Sequence, residues 1–279
     1  MKILVCIKQV PESNKVEVDP VTGVLKRDGA ASKMNPYDLY ALECAFRIRE
    51  QVGGSVHVIS MGPPQAKQVI REAFAMGADG GTLLSDRKFG GADVLATSYT
   101  IAQGIKKMGD FDLILCGKQT TDGDTAQVGP QISEHLGIPV ISYAQKIEVE
   151  GDSVIVERQF DDRYHVLKAK MPCLITALAE LNEPRYMTPG GIFDAYKADI
   201  TVWGRADLKD VEDSNLGLKG SPTQIAKASD KVRKGAEGDN IKAYLSGKEI
   251  DCLKKGEGCD VAIDGREYTV YCRPNSFKN

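Results

Sequence analysis

The sequence lacks any apolar run of the roughly 20 residues that a bilayer-spanning helix requires. Its 279 residues also lack an excess of positive charge, since 36 Lys and Arg stand against 39 Asp and Glu, for a net charge of −3. Nucleic-acid binding depends on neutralising phosphates, so this balance argues against it. Residues 1–8 are too short for a signal-peptide core. We therefore expect a cytoplasmic protein with no nucleic-acid partner and no membrane insertion.

The seven cysteines lack the paired CxxC spacing of zinc and iron–sulfur sites. Four of them stand in apolar runs, where a free thiol behaves as a small hydrophobic group. The other three, Cys252, Cys259 and Cys272, lie in a polar tail with no histidine nearby, and their role stays open. The three histidines have no recognisable serine or cysteine partner, so a catalytic triad has no support. We expect no metal site and no catalytic side chain.

Apolar runs alternate with amphipathic stretches over the first half of the chain. The runs predict buried strands at residues 3–7, 56–59, 82–84 and 113–116. The amphipathic stretches predict helices at residues 37–51, 63–76, 93–108 and 124–136. This alternation predicts an α/β fold with a doubly wound, mostly parallel, Rossmann-like sheet. Ligands of such sheets bind beyond the carboxyl ends of the strands, where functional residues are therefore expected.

The pattern changes after residue 140. Residues 146–150, 153–160 and 165–170 predict added antiparallel strands, and residues 172–178 predict an apolar strand. From residue 197 the chain is polar and has few periodic apolar residues, which does not indicate a core of its own. We predict a nucleotide-binding α/β domain over residues 1–196 and a C-terminal arm with a small appendage over residues 197–279.

The strongest candidate for a binding site follows the strand at 113–116. Residues 117–127 hold two glycines, three threonines and the start of a predicted helix, which suits a phosphate or pyrophosphate. The pattern matches neither a Walker A loop nor a GxGxxG fingerprint. Two alternatives are that Asp124 or Thr125 only caps the helix, or that Asp122 and Asp124 form a metal pair without an evident third ligand. Residues 90–98, with Asp93 as a plausible N-cap, form a second connection from a strand into a helix and thus a second candidate binding segment. The alternative is that they only begin a capped surface helix.

The most specific motif is Leu-Asn-Glu-Pro-Arg-Tyr at residues 181–186. Shorter segments precede it at matching positions, namely residues 33–36, 73–79, 117–119, 156–158, 171–172 and 176–177. Together these segments resemble the small (beta) subunit of electron-transferring flavoproteins over about residues 1–198.

The resemblance implies a heterodimer with a larger alpha subunit that carries its own FAD. The beta-subunit crevice of ordinary members holds a structural AMP, whereas that of electron-bifurcating members holds a second FAD, which accepts a hydride from NADH. One electron then passes through the alpha-subunit FAD to a dehydrogenase of acyl-CoA or lactate type, and the other passes to ferredoxin or flavodoxin. This chemistry belongs to the flavin, so it requires no catalytic side chain.

The expected cofactor-binding residues combine positions that the resemblance implies with two from the helix entry at 90–98. They are Cys6, Asn35, Pro36, Tyr37, Asp38, Met61, Asp93, Thr97, Gly117, Lys118, Gln119, Thr120, Thr121, Asp122, Gly123, Asp124, Thr125, Ala126, Gln127 and Val128.

Residues 92–98 and 122–130 resemble the bifurcating branch. Gly123 and Ala126 stand where ordinary members have Asp and Asn, which removes bulk and charge where a pyrophosphate would extend beyond AMP. We therefore expect FAD in this subunit, with AMP as the alternative. A nucleotide-binding stress or signalling module is a more remote alternative, because fold alone does not fix function.

The resemblance also implies an exposed dehydrogenase-docking loop over residues 186–192, with Pro189 where the family has a leucine. The expected partner-docking residues are Arg185, Tyr186, Met187, Pro189 and Ile192. The polar composition after residue 197 predicts that the arm packs on the alpha subunit.

Overall fold

The computed structural model describes residues 1–12, 32–209 and 211–223, and the backbone of four short strands at residues 17–18, 25–26, 259–263 and 266–270. The chain divides into two compact units. The larger is Met1–Val16 with Lys26–Ala226, and the smaller is Glu17–Leu25 with Lys227–Asn279.

The described strands, in chain order, are β1 (Lys2–Cys6), β2 (Gln9–Pro11), β3 (Glu17–Val18), β4 (Leu25–Lys26), β5 (Ser32–Met34), β6 (Ser55–Met61), β7 (Gly80–Leu84), β8 (Leu113–Gly117), β9 (Val140–Glu150), β10 (Ser153–Gln159), β11 (Tyr164–Lys170), β12 (Cys173–Ala177), β13 (Thr201–Trp203), β14 (Cys259–Ile263) and β15 (Arg266–Val270). The described α-helices are α1 (Pro36–Val52), α2 (Lys67–Met76), α3 (Val94–Met108), α4 (Val128–Leu136) and α5 (Pro189–Lys197). None of these helices combines the length and hydropathy needed to cross a bilayer.

Nine strands form one sheet in the order β11-β10-β9-β12-β8-β1-β6-β7-β13. The run from β12 to β13 is parallel throughout, while β10 pairs antiparallel with both β9 and β11. The chain builds outward from β1 to β6 and β7, then returns to place β8 and β12 on the other side of β1. The doubly wound, mostly parallel fold is confirmed, and its winding direction reverses between β1 and β8, where ligands of such sheets bind.

Two apolar cores lie on opposite faces of this sheet. Val5 packs with Phe46 of α1 and Ile70 of α2 on one face, and Leu4 packs with Ile105 of α3 on the other. Neighbouring residues of a strand point to opposite faces, so a sheet covered on both sides needs apolar residues at every position. The continuous apolar runs of the sequence meet this requirement.

The helix predicted from residue 124 begins later, at Val128. Asp124 and Ala126 have φ values of 51° and 55°, in the left-handed region that an α-helix does not use. Gln127 occupies the N-cap position and makes no side-chain bond to the first turn. Capping of this helix by Asp124 or Thr125 was therefore a wrong prediction.

Part of the predicted C-terminal arm belongs to the larger unit. β13 extends the main sheet by pairing with β7. Leu208, Val211 and Leu216 are buried in the core on the α3 face of the sheet. The structural boundary thus falls after the predicted one at residues 196–197, because a few apolar residues suffice when they pack on an existing core. Beyond residue 223 the structure describes only the antiparallel pairing of β14 with β15, so the predictions for the distal arm and its cysteines lie largely outside the described residues.

Replacing Leu216 with Ala should lower the free energy of unfolding by about 2–4 kcal/mol, because the side chain is 2% exposed and its loss leaves a cavity. Leu218→Ala is the matched control, since Leu218 is 56% exposed and should change stability little. Urea unfolding followed by circular dichroism measures both effects. Equal effects of the two substitutions would contradict the packing of this segment on the main core.

Candidate functional site

The carboxyl ends of β1 and β8 meet the first turn of α1. Cys6 and Cys116, near the ends of these strands, are paired in register. A Cβ atom on Gly117 would collide with the Asp38 carboxylate and with the Tyr37 backbone. Only glycine therefore allows α1 to start this close to the end of β8.

Asn35 joins α1 to the loop that follows β8, and it is completely buried. Its amide nitrogen Nδ2 donates to Asp38 Oδ1 at 2.9 Å and to the Gln119 carbonyl at 2.8 Å. Its oxygen Oδ1 accepts from the Thr121 backbone N–H at 3.2 Å. Both amide hydrogens are used within the chain, so this geometry gives Asn35 the role of positioning the loop rather than that of a direct nucleotide contact.

Asp38 is a buried carboxyl group at the same junction. Burial raises its pKa to about 7, although hydrogen bonds from Asn35 and from the backbone N–H groups of Lys8 and Gly117 oppose the rise. A carboxyl whose pKa is higher in the folded chain contributes stability at low pH, and this contribution is lost as the pH rises to about 7. Asp38 therefore carries less than a full negative charge near neutral pH.

The loop after β8 is also held by its own polar side chains. Lys8 Nζ lies 2.8 Å from a carboxylate oxygen of Asp122. Burial opposes ionisation of Asp122, but the hydrogen bond and charge of Lys8 outweigh it and lower its pKa. Gln119 Nε2 donates to Asp124 Oδ1 at 3.0 Å, and the Asp124 N–H donates to the Thr120 carbonyl at 2.9 Å. Asp122 and Asp124 thus have protein partners, and no described cluster of three or more ligating side chains accompanies them.

The start of α4 offers backbone donors beside this loop. Among the described residues no side chain caps its first turn. The uncapped N–H groups and the helix dipole favour an anion. Gly129 lets this turn lie against β12, since a Cβ there would approach Thr176 Cγ2 to 2.9 Å.

The start of α3 is bonded differently. The Asp93 carboxylate accepts from the Ala96 N–H at 3.1 Å and from the Thr223 N–H at 3.0 Å, while the Asp93 N–H donates to Ser221 Oγ at 2.8 Å. Asp93 therefore caps α3, and these bonds fasten it to the segment that ends the larger unit. Thr97 is half-buried in the same helix. Contact of Asp93 and Thr97 with a nucleotide stays a prediction.

Two residues of this region, Lys8 and Tyr143, were not among the predicted site residues. The only feature of the sequence that indicated Lys8 is its position directly after the first predicted strand. Tyr143 has a φ of 63°, and its N–H donates to Thr176 Oγ1 at 3.0 Å. Its ring centroid lies 5.6 Å from Lys118 Nζ. Nothing in the local sequence indicates this backbone conformation.

Comparison with known proteins identifies the family. A family model described as "Electron transfer flavoprotein domain" matches residues 22–208. The chain belongs to the electron transfer flavoprotein family. It is 53% identical over 235 residues to the electron transfer flavoprotein subunit beta of Clostridium acetobutylicum, a match that covers 84% of this chain and 90% of the relative. The resemblance to flavoprotein beta subunits is thus confirmed, and the stress or signalling module is set aside.

Two other relatives carry names that mention reductases. One is the caffeyl-CoA reductase-Etf complex subunit CarD of Acetobacterium woodii, 50% identical over 236 residues. The other is the acryloyl-CoA reductase electron transfer subunit gamma of Anaerotignum propionicum, 46% identical over 242 residues. Each match covers 84% of this chain and 90% of the relative.

In this member of the flavoprotein family, Arg185 of the Leu-Asn-Glu-Pro-Arg-Tyr motif is anchored on α1. Its Nε lies 2.7 Å from a carboxylate oxygen of Glu43, and its Nη1 lies 2.6 Å from one of Glu50. Burial raises the pKa of Glu43, but hydrogen bonds from Arg185 and Arg47 outweigh burial and lower it. Arg185 therefore fixes the segment that follows, while the next residue, Tyr186, is 93% exposed.

The segment predicted as a docking loop over residues 186–192 is partly helical. α5 begins at Pro189, and Thr188 Oγ1 caps it by accepting from the Gly191 N–H at 3.0 Å. A threonine N-cap followed by proline is a strong helix start, so the sequence contained this signal. Gly191 packs against the Ala75 carbonyl of α2, which fixes α5 on the larger unit.

Replacing Asn35 with Ala should weaken binding of the nucleotide that the sequence predicts for this crevice about tenfold or more, because the loop after β8 loses two of its anchors and the Asp38 carboxylate loses a donor. Asn182→Ala is the matched control, since the Asn182 side chain makes one hydrogen bond among the described residues, to the Tyr40 carbonyl. Nucleotide dissociation constants and urea unfolding should be measured for both variants. Equal losses of affinity at equal losses of stability would show that Asn35 has no specific effect on the loop.

Proposed function

We propose that this chain is the small subunit of an electron-bifurcating flavoprotein and that the crevice between β1 and β8 holds FAD. In this proposal NADH is the electron donor. An alpha subunit with its own FAD passes one electron to a dehydrogenase of acyl-CoA or lactate type, and ferredoxin or flavodoxin accepts the other. The relatives named as subunits of a caffeyl-CoA reductase-Etf complex and of an acryloyl-CoA reductase support this class of partner.

The observation that carries the proposal is the open loop between β8 and α4. Gly123 faces free space apart from Thr120 Oγ1, which a Cβ would meet at 3.4 Å. Ala126 holds a left-handed φ of 55° with only a methyl side chain. Gly123 is exposed and Ala126 is half-buried, next to the uncapped start of α4. A pyrophosphate that extends beyond an AMP moiety needs this access.

The described residues supply donors and charge that fit an FAD. Backbone N–H groups of the first turn of α4 would bind phosphate oxygens, and the exposed hydroxyls of Thr121 and Thr125 would add donors. Lys8 neutralises Asp122, which limits repulsion of the phosphates. The flavin supplies the two-electron and one-electron chemistry, while the protein orients it and sets its electrostatic surroundings.

Introducing Gly123→Asp together with Ala126→Asn should remove FAD from this subunit, because a carboxylate and an amide then occupy the pyrophosphate path. The backbone should tolerate both changes, since Gly123 has room for a Cβ and asparagine adopts a left-handed φ readily. Chromatography of the nucleotides released from the purified heterodimer should show two FAD per wild-type complex and one per variant complex. NADH-dependent ferredoxin reduction should be lost with the second FAD.

Gly190→Asp is the control, because it adds a carboxylate at another glycine with free space around it. It should leave the FAD content at the wild-type value. A wild-type heterodimer that releases one FAD and one AMP would instead identify an ordinary, non-bifurcating electron carrier.

We also propose that α5 and the residues before it dock the dehydrogenase. Five large apolar side chains of this segment are exposed, namely Tyr186, Met187, Ile192, Phe193 and Tyr196, with exposed fractions from 40% to 93%. A concentration of exposed apolar residues on one short segment indicates an interaction surface. Arg71 holds α5 by donating to the Ala195 carbonyl at 2.9 Å, so the surface is presented on a fixed helix.

Substituting Met187 and Ile192 with Asp should slow electron transfer to the dehydrogenase at least tenfold, since each charge would have to be buried at the contact. The flavin content of the heterodimer should not change, because both residues lie outside the loop after β8. Leu218→Asp, at a residue 56% exposed elsewhere on the larger unit, is the control. Stopped-flow transfer rates at increasing dehydrogenase concentration provide the measurement, and wild-type rates in the double variant would contradict the docking role.

The arm after residue 226 is proposed to pack on the alpha subunit. Its polar composition, with few apolar residues at regular spacing, supports a segment that uses the surface of another chain.

A further inference from the structure

A row of alternating aromatic rings and cations leads from the crevice toward the antiparallel part of the sheet. Lys118 Nζ lies 5.9 Å from the Tyr37 ring centroid and 5.6 Å from that of Tyr143. Arg158 Cζ lies 5.9 Å from the Tyr143 centroid and 4.6 Å from that of Phe160. We call these five residues the cation–aromatic row. Tyr143, at its centre, is approached by two positive charges.

Neither cation of the row forms an ion pair with a described carboxylate. The side chain of Arg158 even has a buried Nε with no hydrogen-bond partner among the described residues. The carboxylates nearest to these cations in the sequence have other partners, since Asp122 binds Lys8 and Glu157 binds Gln145. Two like charges that share one ring repel each other, and a nearby anion would relieve that repulsion.

The backbone at Tyr143 is strained in a way that serves this arrangement. A φ of 63° is rare for a bulky residue, and it occurs where β9 changes register against β12. A second register shift, against β10, follows at Gln145. Such bulges re-aim side chains and are frequent beside functional sites. The bond from the Tyr143 N–H to Thr176 Oγ1 helps to hold the conformation. A strained backbone conformation of this kind persists only where surrounding contacts hold it in place. Such residues cluster at functional sites, so the strain at Tyr143 points to a functional requirement.

We propose that Lys118, Tyr143 and Arg158 form a subsite for the electron-rich ring end of the ligand. In this subsite the ammonium group of Lys118 favours the reduced, anionic flavin ring over the oxidised, neutral one. Lys118 is suited to this role because it follows Gly117 directly, at the end of β8 beside the proposed pyrophosphate path. The inference rests on the proposed function, since it requires FAD in this crevice.

The test compares the affinities of oxidised and reduced FAD for heterodimers that carry Lys118→Met or Lys118→Arg. The phosphates are identical in both oxidation states, so a contact of Lys118 with phosphate cancels from the ratio of the two affinities. Lys118→Met should lower the preference for reduced FAD about tenfold, because a charge next to the ring is lost. Lys118→Arg should retain the preference. The Gly123→Asp/Ala126→Asn heterodimer provides the signal of the alpha-subunit flavin alone.

Lys146→Met is the matched control, since Lys146 is an exposed lysine of β9 that pairs with Glu148. It changes the net charge equally and should leave the ratio unaltered. An unchanged ratio in Lys118→Met, or an equal loss of affinity for both forms, would overturn the subsite while leaving FAD binding intact. A wild-type subunit that holds AMP and no FAD would overturn the proposed function and this inference together.

Discussion

The close approach of α1 to the end of β8 is the constraint on which the crevice depends. It requires the missing side chain of Gly117, and it brings the buried amide of Asn35 next to the loop that follows. A buried amide is costly unless its hydrogen bonds are made, and Asn35 makes bonds to the loop on both its nitrogen and its oxygen. The same side chain donates to Asp38 on α1. One residue therefore couples the switch point of the sheet to the shape of the loop.

Backbone strain is concentrated around this crevice. Asp124, Ala126 and Tyr143 are the non-glycine residues with positive φ in the described chain. Each such position costs on the order of 1–3 kcal/mol and persists because neighbouring contacts hold it. Gln119 binds the side chain of Asp124, and Thr176 binds the backbone of Tyr143. Contacts within the chain thus hold the shape of the loop after β8.

The parallel part of the fold could be predicted from the sequence, because strands buried on both faces must be apolar throughout. The start of α4 could not be predicted, because Asp124 and Thr125 are good capping residues but the left-handed backbone at Asp124 and Ala126 excludes a helix there. That backbone depends on contacts with Asn35 and Lys8, which lie about 85 to 115 residues away in the chain. Thr188 and Pro189 show the opposite case, since their helix signal is local and could have been predicted. Sheet topology thus indicated where to expect a binding site, whereas the geometry of the candidate site depends on long-range contacts.

Charge compensation explains how a crevice with several carboxylates can still suit an anion. Asp122 is paired with Lys8, and burial raises the pKa of Asp38 to about 7, so this carboxyl carries only part of a negative charge at neutral pH. Lys118 has no described carboxylate partner, and the first turn of α4 adds its uncapped N–H groups. The negative charges of the crevice are thus largely neutralised within the chain, while part of its positive charge has no anionic partner among the described residues. Because an anion gains most where such potential is unneutralised and partly shielded from water, the edge between β8 and α4 is the part of the crevice that best suits the phosphates of the proposed ligand.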